Sequence, residues 1–430
     1  MKKSVKVTLL VVLSMVLVYG MMTLSGCGSS SSSTPAPTYP LSMNLYMASE
    51  AGGHIGVYPV TIDPSNTASP ITVDTAAVKR IQLKGTMKST GANGNIVFHD
   101  LRLDGDNLYY SAFFSETTNS SLAHIGYVDL TQANTANTNN GIDSTIDIDA
   151  AAADSIAGIL DGMFGMTGKT LKAVYCGSGM NSTHYMPMTM SFPAYIDAFP
   201  KTAIATAGSH VTSADSKRTY IDAIDASTPY LGFLHGNSSP DGTKLFVATN
   251  EVSGVTTTNN LAGVFRAYLI PTSKIIAGTM TPADVISKGS YTVNPLLASI
   301  AYRGSFTPDG TKYLQSGADR MLIIDTTVNP MTAHDTNTDT VKIGGGKTGI
   351  ENHDVMVTPD GKYAILAIRY YSDATQDGNN IKTSGVQLYD IANKKVIGGA
   401  IPTCGSTAAC HPATGDPTSR PTCGLVGKVK

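Results

Sequence analysis

The sequence predicts an all-β domain built from a repeated strand–turn–strand unit, and three observations carry that prediction. A Pro-Asp-Gly turn recurs along the chain, most copies are followed by a further strand ending near an aspartate, and long helical periodicity is nearly absent. Residues 150–160 are the one weak helical stretch. The clearest turn is Ser239-Pro240-Asp241-Gly242-Thr243-Lys244, and it returns as Thr307-Pro308-Asp309-Gly310-Thr311-Lys312 and Thr358-Pro359-Asp360-Gly361-Lys362. Degraded copies are Leu103-Asp104-Gly105-Asp106-Asn107 and Thr167-Gly168-Lys169-Thr170. Proline presets φ at the first turn position, aspartate bonds back to the backbone, and glycine takes the positive φ.

The chain opens on Met1-Lys2-Lys3-Ser4-Val5-Lys6 and an apolar run over residues 7–22, the charge-then-hydrophobe order of a secretory signal. Leu24-Ser25-Gly26-Cys27 follows and resembles the lipobox of bacterial lipoproteins. That resemblance implies cleavage before Cys27, lipid on its thiol and acylation of the new amino group. A membrane-spanning helix with an incidental cysteine is the rival, but the run is short for a span of about 20 residues. Residues 28–37, rich in serine and proline, read as a solvated tether. The expected organisation is a signal peptide over 1–26, a lipidated tether over 27–42 and one domain over 43–430, with a tied tail from about residue 403. Gly28 rather than an aspartate after the cysteine favours, by family habit, an outer membrane. Removing residues 1–26 takes the formal charge from −2 to −5, which offers no grip on nucleic acid.

Further strands follow the turns, as in Ile125-Gly126-Tyr127-Val128-Asp129, Met321-Leu322-Ile323-Ile324-Asp325 and Val386-Gln387-Leu388-Tyr389-Asp390. Strand, Pro-Asp-Gly turn, strand, loop, strand, Asp resembles the blade repeat of β-propellers of the YVTN or YncE-like class. The resemblance implies a β-propeller of six to seven four-stranded blades, because one blade cannot bury both its faces alone. The turn glycines fall at 105, 168, 242, 310 and 361, and a partial unit near Leu45-Tyr46 makes six repeats. A seventh would be a degenerate unit around residues 211–220. The chain begins partway through a blade, so the N- and C-terminal strands are expected to share one and close the ring.

Three sets of residues are candidates for chemistry. His99, His235 and His353 precede turns, with Arg303 in that place before another. At the mouth of a propeller channel they would ligate a metal or hold an anion. Counted back from the turn glycines, however, the histidines stand six, seven and eight residues away. An alternation of two then splits them between faces unless bulges intervene, and hydrogen bonding to neighbouring loops is the bland alternative. The segment around His235 is similar to haem-d1 propellers, and His99-Asp100 and His353-Asp354 to copper propellers of the nitrous oxide reductase kind. The second set is His184, Met186, Met188 and Met190, which an extended strand would place on one face as soft Cu(I) ligands. Adaptable packing competes with that reading, and Pro187 argues for an edge or loop.

The third set is Cys404, Cys410 and the adjoining His411. The spacing is not the C-x-x-C-H of c-type haem attachment, so disulfides are the simpler account in an exported chain. Cys404–Cys410 and Cys176–Cys423 are the preferred pairs among three possible pairings. Searches for a nucleophile elbow, a zinc-protease helix motif, a phosphate loop and an EF-hand loop find none in the sequence. The expectation is therefore a membrane-anchored, extracytoplasmic, non-catalytic binding or scaffold module with a protein partner or ligand on a propeller face. No cofactor is assigned; copper or haem belong to the redox alternative.

Overall fold

The computed structural model describes residues 37–49, 54–82, 96–114, 122–131, 146–149, 173–174, 177–178, 183–189, 195–200, 217–226, 231–252, 261–293, 302–317, 319–346, 350–371, 381–404 and 422–430. The described chain is all-β apart from short turns of helix, the longest over Thr272–Ala277.

Six antiparallel sheets form among the described residues. The first contains β1 (Leu41–Ser49), β2 (His54–Ile62), and β3 (Ile71–Val73) and β4 (Lys79–Gln82), which pair with the two ends of β2. The second runs β5 (Ile96–Asp104), β6 (Asn107–Phe114), β7 (Leu122–Asp129), β8 (Ile146–Asp149). The third has β9 (Ala173–Val174), β10 (Gly177–Ser178), β11 (Thr183–Thr189), β12 (Tyr195–Pro200) and β13 (Lys217–Tyr220). The fourth runs β14 (Leu231–Ser238), β15 (Lys244–Val252), β16 (Leu261–Pro271), β17 (Ser287–Thr292). The fifth runs β18 (Gly304–Phe306), β19 (Lys312–Gly317), β20 (Arg320–Asp325), β21 (Thr332–Asp335), and the sixth β22 (Ile350–Val357), β23 (Tyr363–Tyr371), β24 (Ile381–Asp390), β25 (Lys395–Cys404). The last strand, β26 (Thr422–Val429), returns to pair with β1 and becomes the inner strand of the first sheet.

Each inner strand touches the next, from β26 through β5, β10, β14, β18 and β22 back to β26, so the sheets close into a β-propeller. The N- and C-terminal strands share a blade. Apolar layers join the blades. Tyr46, Ile55, Leu101 and Tyr110 join the first two, Phe246, Phe306 and Tyr313 the fourth and fifth, and Met43, Leu45, Ile365 and Val386 the sixth and first. Burying each such side chain contributes about 1.5–3 kcal/mol.

The expectation of six to seven four-stranded blades is corrected. Five blades have an unbroken inner strand, namely β26, β5, β14, β18 and β22, whereas in the third sheet that strand is split into β9 and β10. The register of β11 places the two pieces. β10 pairs with His184 and Tyr185, β9 pairs with Met188 and Thr189, and the gap between them faces Met186 and Pro187. Proline brings no N–H to a ladder, and residues 175–176, between the two pieces, lie outside the described residues. Pro187 is therefore neither at an edge nor in a loop; it pairs with Ile196 of β12. The suspected extra blade at 211–220 is not one either, since Lys217–Tyr220 is the outer strand of this same sheet. Gly168 and residues 150–160 lie outside the described residues.

The turns form as expected. Gly105, Gly242, Gly310 and Gly361 all have φ between 59° and 72°. In the Pro-Asp-Gly copies the glycine N–H donates 2.8 Å to the carbonyl of Ser239, Thr307 or Thr358. The aspartate accepts from that residue's hydroxyl and from the backbone two residues on, as in Thr311 N–H to Asp309 at 3.0 Å. Partial burial raises the Asp241 and Asp309 carboxyls, but these hydrogen bonds outweigh it and hold both below the usual carboxylate range.

Candidate functional site

The inner strands carry a buried charged network across the ring axis, and β-bulges create it. One residue is extra at His99 in β5, at His353 in β22, and between Gly232 and His235 in β14. Tyr302 and Arg303 behave alike, since the Tyr302 N–H donates to Ser316 and the Ser316 N–H donates to Arg303. Each bulge turns the next side chain toward the axis. The ladder makes Asp100, His235, Arg303 and Asp354 equivalent, each the fifth pair from its turn. All four are buried.

Arg303, fully buried, reaches across the ring. Its Nε lies 3.3 Å from Asp100 Oδ1, and its Nη1 lies 2.7 Å from His353 Nδ1. A guanidinium only donates, so His353 Nδ1 is the acceptor and the ring proton sits on Nε2. That Nε2 faces Glu351 Oε1 at 3.3 Å, and the other Glu351 oxygen lies 3.9 Å from Arg369. On the opposite side Arg102 Nη1 donates to Asp100 Oδ1 at 2.7 Å and to the Leu101 carbonyl at 2.6 Å. Tyr302 packs against His353 with ring centroids 4.3 Å apart and the ring planes tilted by 34°. Three guanidiniums (Arg102, Arg303, Arg369) thus meet three carboxylic groups (Asp100, Glu351, Asp354), all nearly inaccessible.

Asp354 connects this network to ring closure. Its Oδ1 accepts the Val355 N–H and its Oδ2 the Leu425 N–H of β26, both at 2.7 Å. Burial pushes its carboxyl up to about 7, Arg102 and Arg303 pulling it down while Asp100 pushes it further up. Burial likewise raises Asp100, against the pull of Arg102 and Arg303. β26 can come this close because Gly424 has no side chain; a Cβ there would stand 2.7 Å from the Leu101 nitrogen.

The expected set of His99, His235, Arg303 and His353 is therefore gathered only in part. Arg303 and His353 are in contact, and His235 holds an equivalent position in β14 and is buried. His99 is the bulge residue of β5, and its side chain lies outside the described residues. Among the described residues no three His, Cys, Asp or Glu side chains converge as a metal site. The sequence alone does not mark Asp100, Arg102, Glu351 and Asp354 as site residues. Counting seven residues back from Gly242, Gly310 and Gly361 gives His235, Arg303 and Asp354. The same count is five from Gly105, because two residues lie between the paired Asp104 and Asn107, whereas four lie between Ser239 and Lys244, which are joined by a backbone hydrogen bond.

For the other candidates, β11 extends over Thr183–Thr189 and contains His184, Met186 and Met188, whose side chains, with Met190, lie outside the described residues. Cys404 ends β25 and Cys423 belongs to β26, but their side chains lie outside the described residues, as do Cys176, Cys410 and Cys27. No described helix is long and apolar enough to cross a membrane.

No family model and no curated protein matches the chain. Among solved structures, it is similar to a chain of a nidogen/laminin complex at 12% identity and TM-score 0.46, covering 90% of this chain and 98% of that one. It is similar to a periplasmic gluconolactonase of Pseudomonas aeruginosa at 11% identity and TM-score 0.43, covering 90% and 99%. It is also similar to the β-propeller domain of Cps50 (Swd1) from Myceliophteria thermophila at 9% identity and TM-score 0.40, covering 84% and 86%. At these scores the similarities carry no argument about function, and the propeller assignment rests on the strand order and the closed ring of inner strands.

Proposed function

We propose that this chain is a lipid-anchored, extracytoplasmic β-propeller that acts as a non-catalytic binding or scaffold module, presenting a ring face to a protein partner or ligand. The observation that carries the proposal is the axial network. Its charged groups are buried, balanced in number and face one another, from Arg102 through Asp100, Arg303 and His353 to Glu351. A guanidinium 2.7 Å from His353 Nδ1 occupies the lone pair a metal would use and repels a cation. The axis thus serves rigidity, and recognition falls to the loops at the ring faces. The lipobox-like Leu24-Ser25-Gly26-Cys27 supports the anchor. Copper handling is a second reading, favoured by the extended backbone of β11, which contains His184, Met186 and Met188 at alternate positions.

The test is to express the full chain and Cys27→Ser in a bacterial host with labelled palmitate, then to record the absorption spectrum and metal content of the purified protein. Label and membrane fractionation are expected for the wild type and lost in the variant, with neither a Soret band nor stoichiometric copper. Either of those signals would overturn the scaffold reading in favour of a redox or copper protein.

A further inference from the structure

The ring has two faces, and the described chain enters and leaves by the same one. The inner strands β5, β14, β18 and β22 each run into the turn that precedes the second strand, so the turns at Gly105, Gly242, Gly310 and Gly361 share one face. β1 starts at this face and β26 ends at it, where the Lys430 N–H donates 3.2 Å to the Ser42 carbonyl. The entering chain is fixed there. The Tyr39 hydroxyl lies 3.2 Å from both carboxylate oxygens of Asp360 in a Pro-Asp-Gly turn, and its ring meets Tyr363 edge-on at 5.3 Å. We infer that this turn-bearing face lies against a lipid bilayer and that the opposite face, at the β19–β20 connection, is turned away from it.

The inference rests on the proposed lipid on Cys27. Ten residues, 28–37, separate Cys27 from Thr38. A flexible chain of that length spans about 18 Å on average and under about 40 Å fully extended. An eight-residue inner strand such as β14 is itself about 26 Å long. Bringing the far face to the lipid would require a nearly taut tether running round the rim. A slack one leaves the turn face nearest the membrane. That face exposes Lys312, Lys394, Lys395 and Lys430 among the turn carboxylates. Its charge is mixed, so the tether rather than attraction to anionic headgroups sets the orientation, and salt should not alter it.

The experiment uses the full lipidated chain in phosphatidylcholine vesicles containing a lipid with a quencher on its headgroup. A genetically encoded fluorescent amino acid is placed either at Lys394, between β24 and β25 on the turn face, or at Thr338. Thr338 is exposed and adjoins Asn337, whose side chain reaches Asp319 in the far-face turn at 3.5 Å. Severalfold stronger quenching at 394 than at 338, unchanged in high salt, is the expected result. Equal or reversed quenching on vesicle-bound protein overturns the orientation while leaving the anchor in place. Protein that does not float with the vesicles removes the anchor, and the orientation with it.

Discussion

At the scale of single residues, Arg303 and Asp354 hold the axial network together. Arg303 bridges Asp100 and His353, so Arg303→Met leaves a buried carboxylate short of a cation. Removing one partner of a buried ion pair typically costs about 3–5 kcal/mol. Arg303→Lys is expected to recover little, because a single ammonium cannot bridge both partners as a planar fork does. Urea unfolding midpoints check both variants; a lysine variant as stable as wild type would count against the bridge. Asp354 gives the ring a pH dependence. Its carboxyl rises from 3.8 to about 7 on folding, so between these values the folded state holds a proton that the unfolded chain has released. Stability therefore falls as pH rises through that window, by up to about 1.4 kcal/mol per pH unit, and Asp100 acts in the same direction. Asp354→Asn should flatten the slope. It should also lower stability at pH 5 by about 1–3 kcal/mol, since an amide cannot accept from both Val355 and Leu425. Melts at several pH values between 4 and 8 measure both effects.

At the scale of elements, the turns and their glycines set the blade geometry. Gly310→Ala and Gly361→Ala each force an L-residue to positive φ, at a cost of about 1–2 kcal/mol. The second should cost more, because its Cβ would stand 3.3 Å from Pro308 Cδ, whereas the first would stand 3.6 Å from Pro240 Cδ. Comparing the two melts tests whether consecutive turns pack on one another. These turns were legible in the sequence because their residue chemistry is local. The shared terminal blade was legible too, from a chain that opens partway through a repeat. The axial network was half legible. The sequence points to Arg303 and His353, and it identifies bulges as the condition for the histidines to meet. It misplaces the axial residue by one in β5 and β22, where the side chain after the histidine, Asp100 or Asp354, holds the equivalent position. Arg102 and Glu351 gave no signal. Each looks like an ordinary strand charge until strands far apart in sequence bring Asp100 to Arg303 and place Leu425 on Asp354.

At the scale of the whole molecule, closure depends on one strand. β26 completes the first blade by pairing with β1, supplies the Leu425 N–H to Asp354, and covers the layer containing Met43 and Leu45. A propeller without its closing strand exposes two blade faces and removes the Leu425 N–H from Asp354. Deleting residues 422–430 is thus expected to abolish the single cooperative transition and produce an expanded, self-associating chain. Deleting residues 1–37 leaves Tyr39 and its contact with Asp360 in place and should leave the melt unchanged. A synthetic peptide of residues 420–430 added to the C-terminal deletion distinguishes closure from general damage. Backbone pairing with β1 and the Asp354 acceptor are both available to a separate strand, so the peptide should restore a cooperative melt and a compact elution volume. A peptide with Gly424→Val should not, because its side chain would collide with the Leu101 backbone. Rescue by both peptides would show that β26 merely covers apolar surface, and failure of both would show that the broken ring does not persist in a form able to accept its strand.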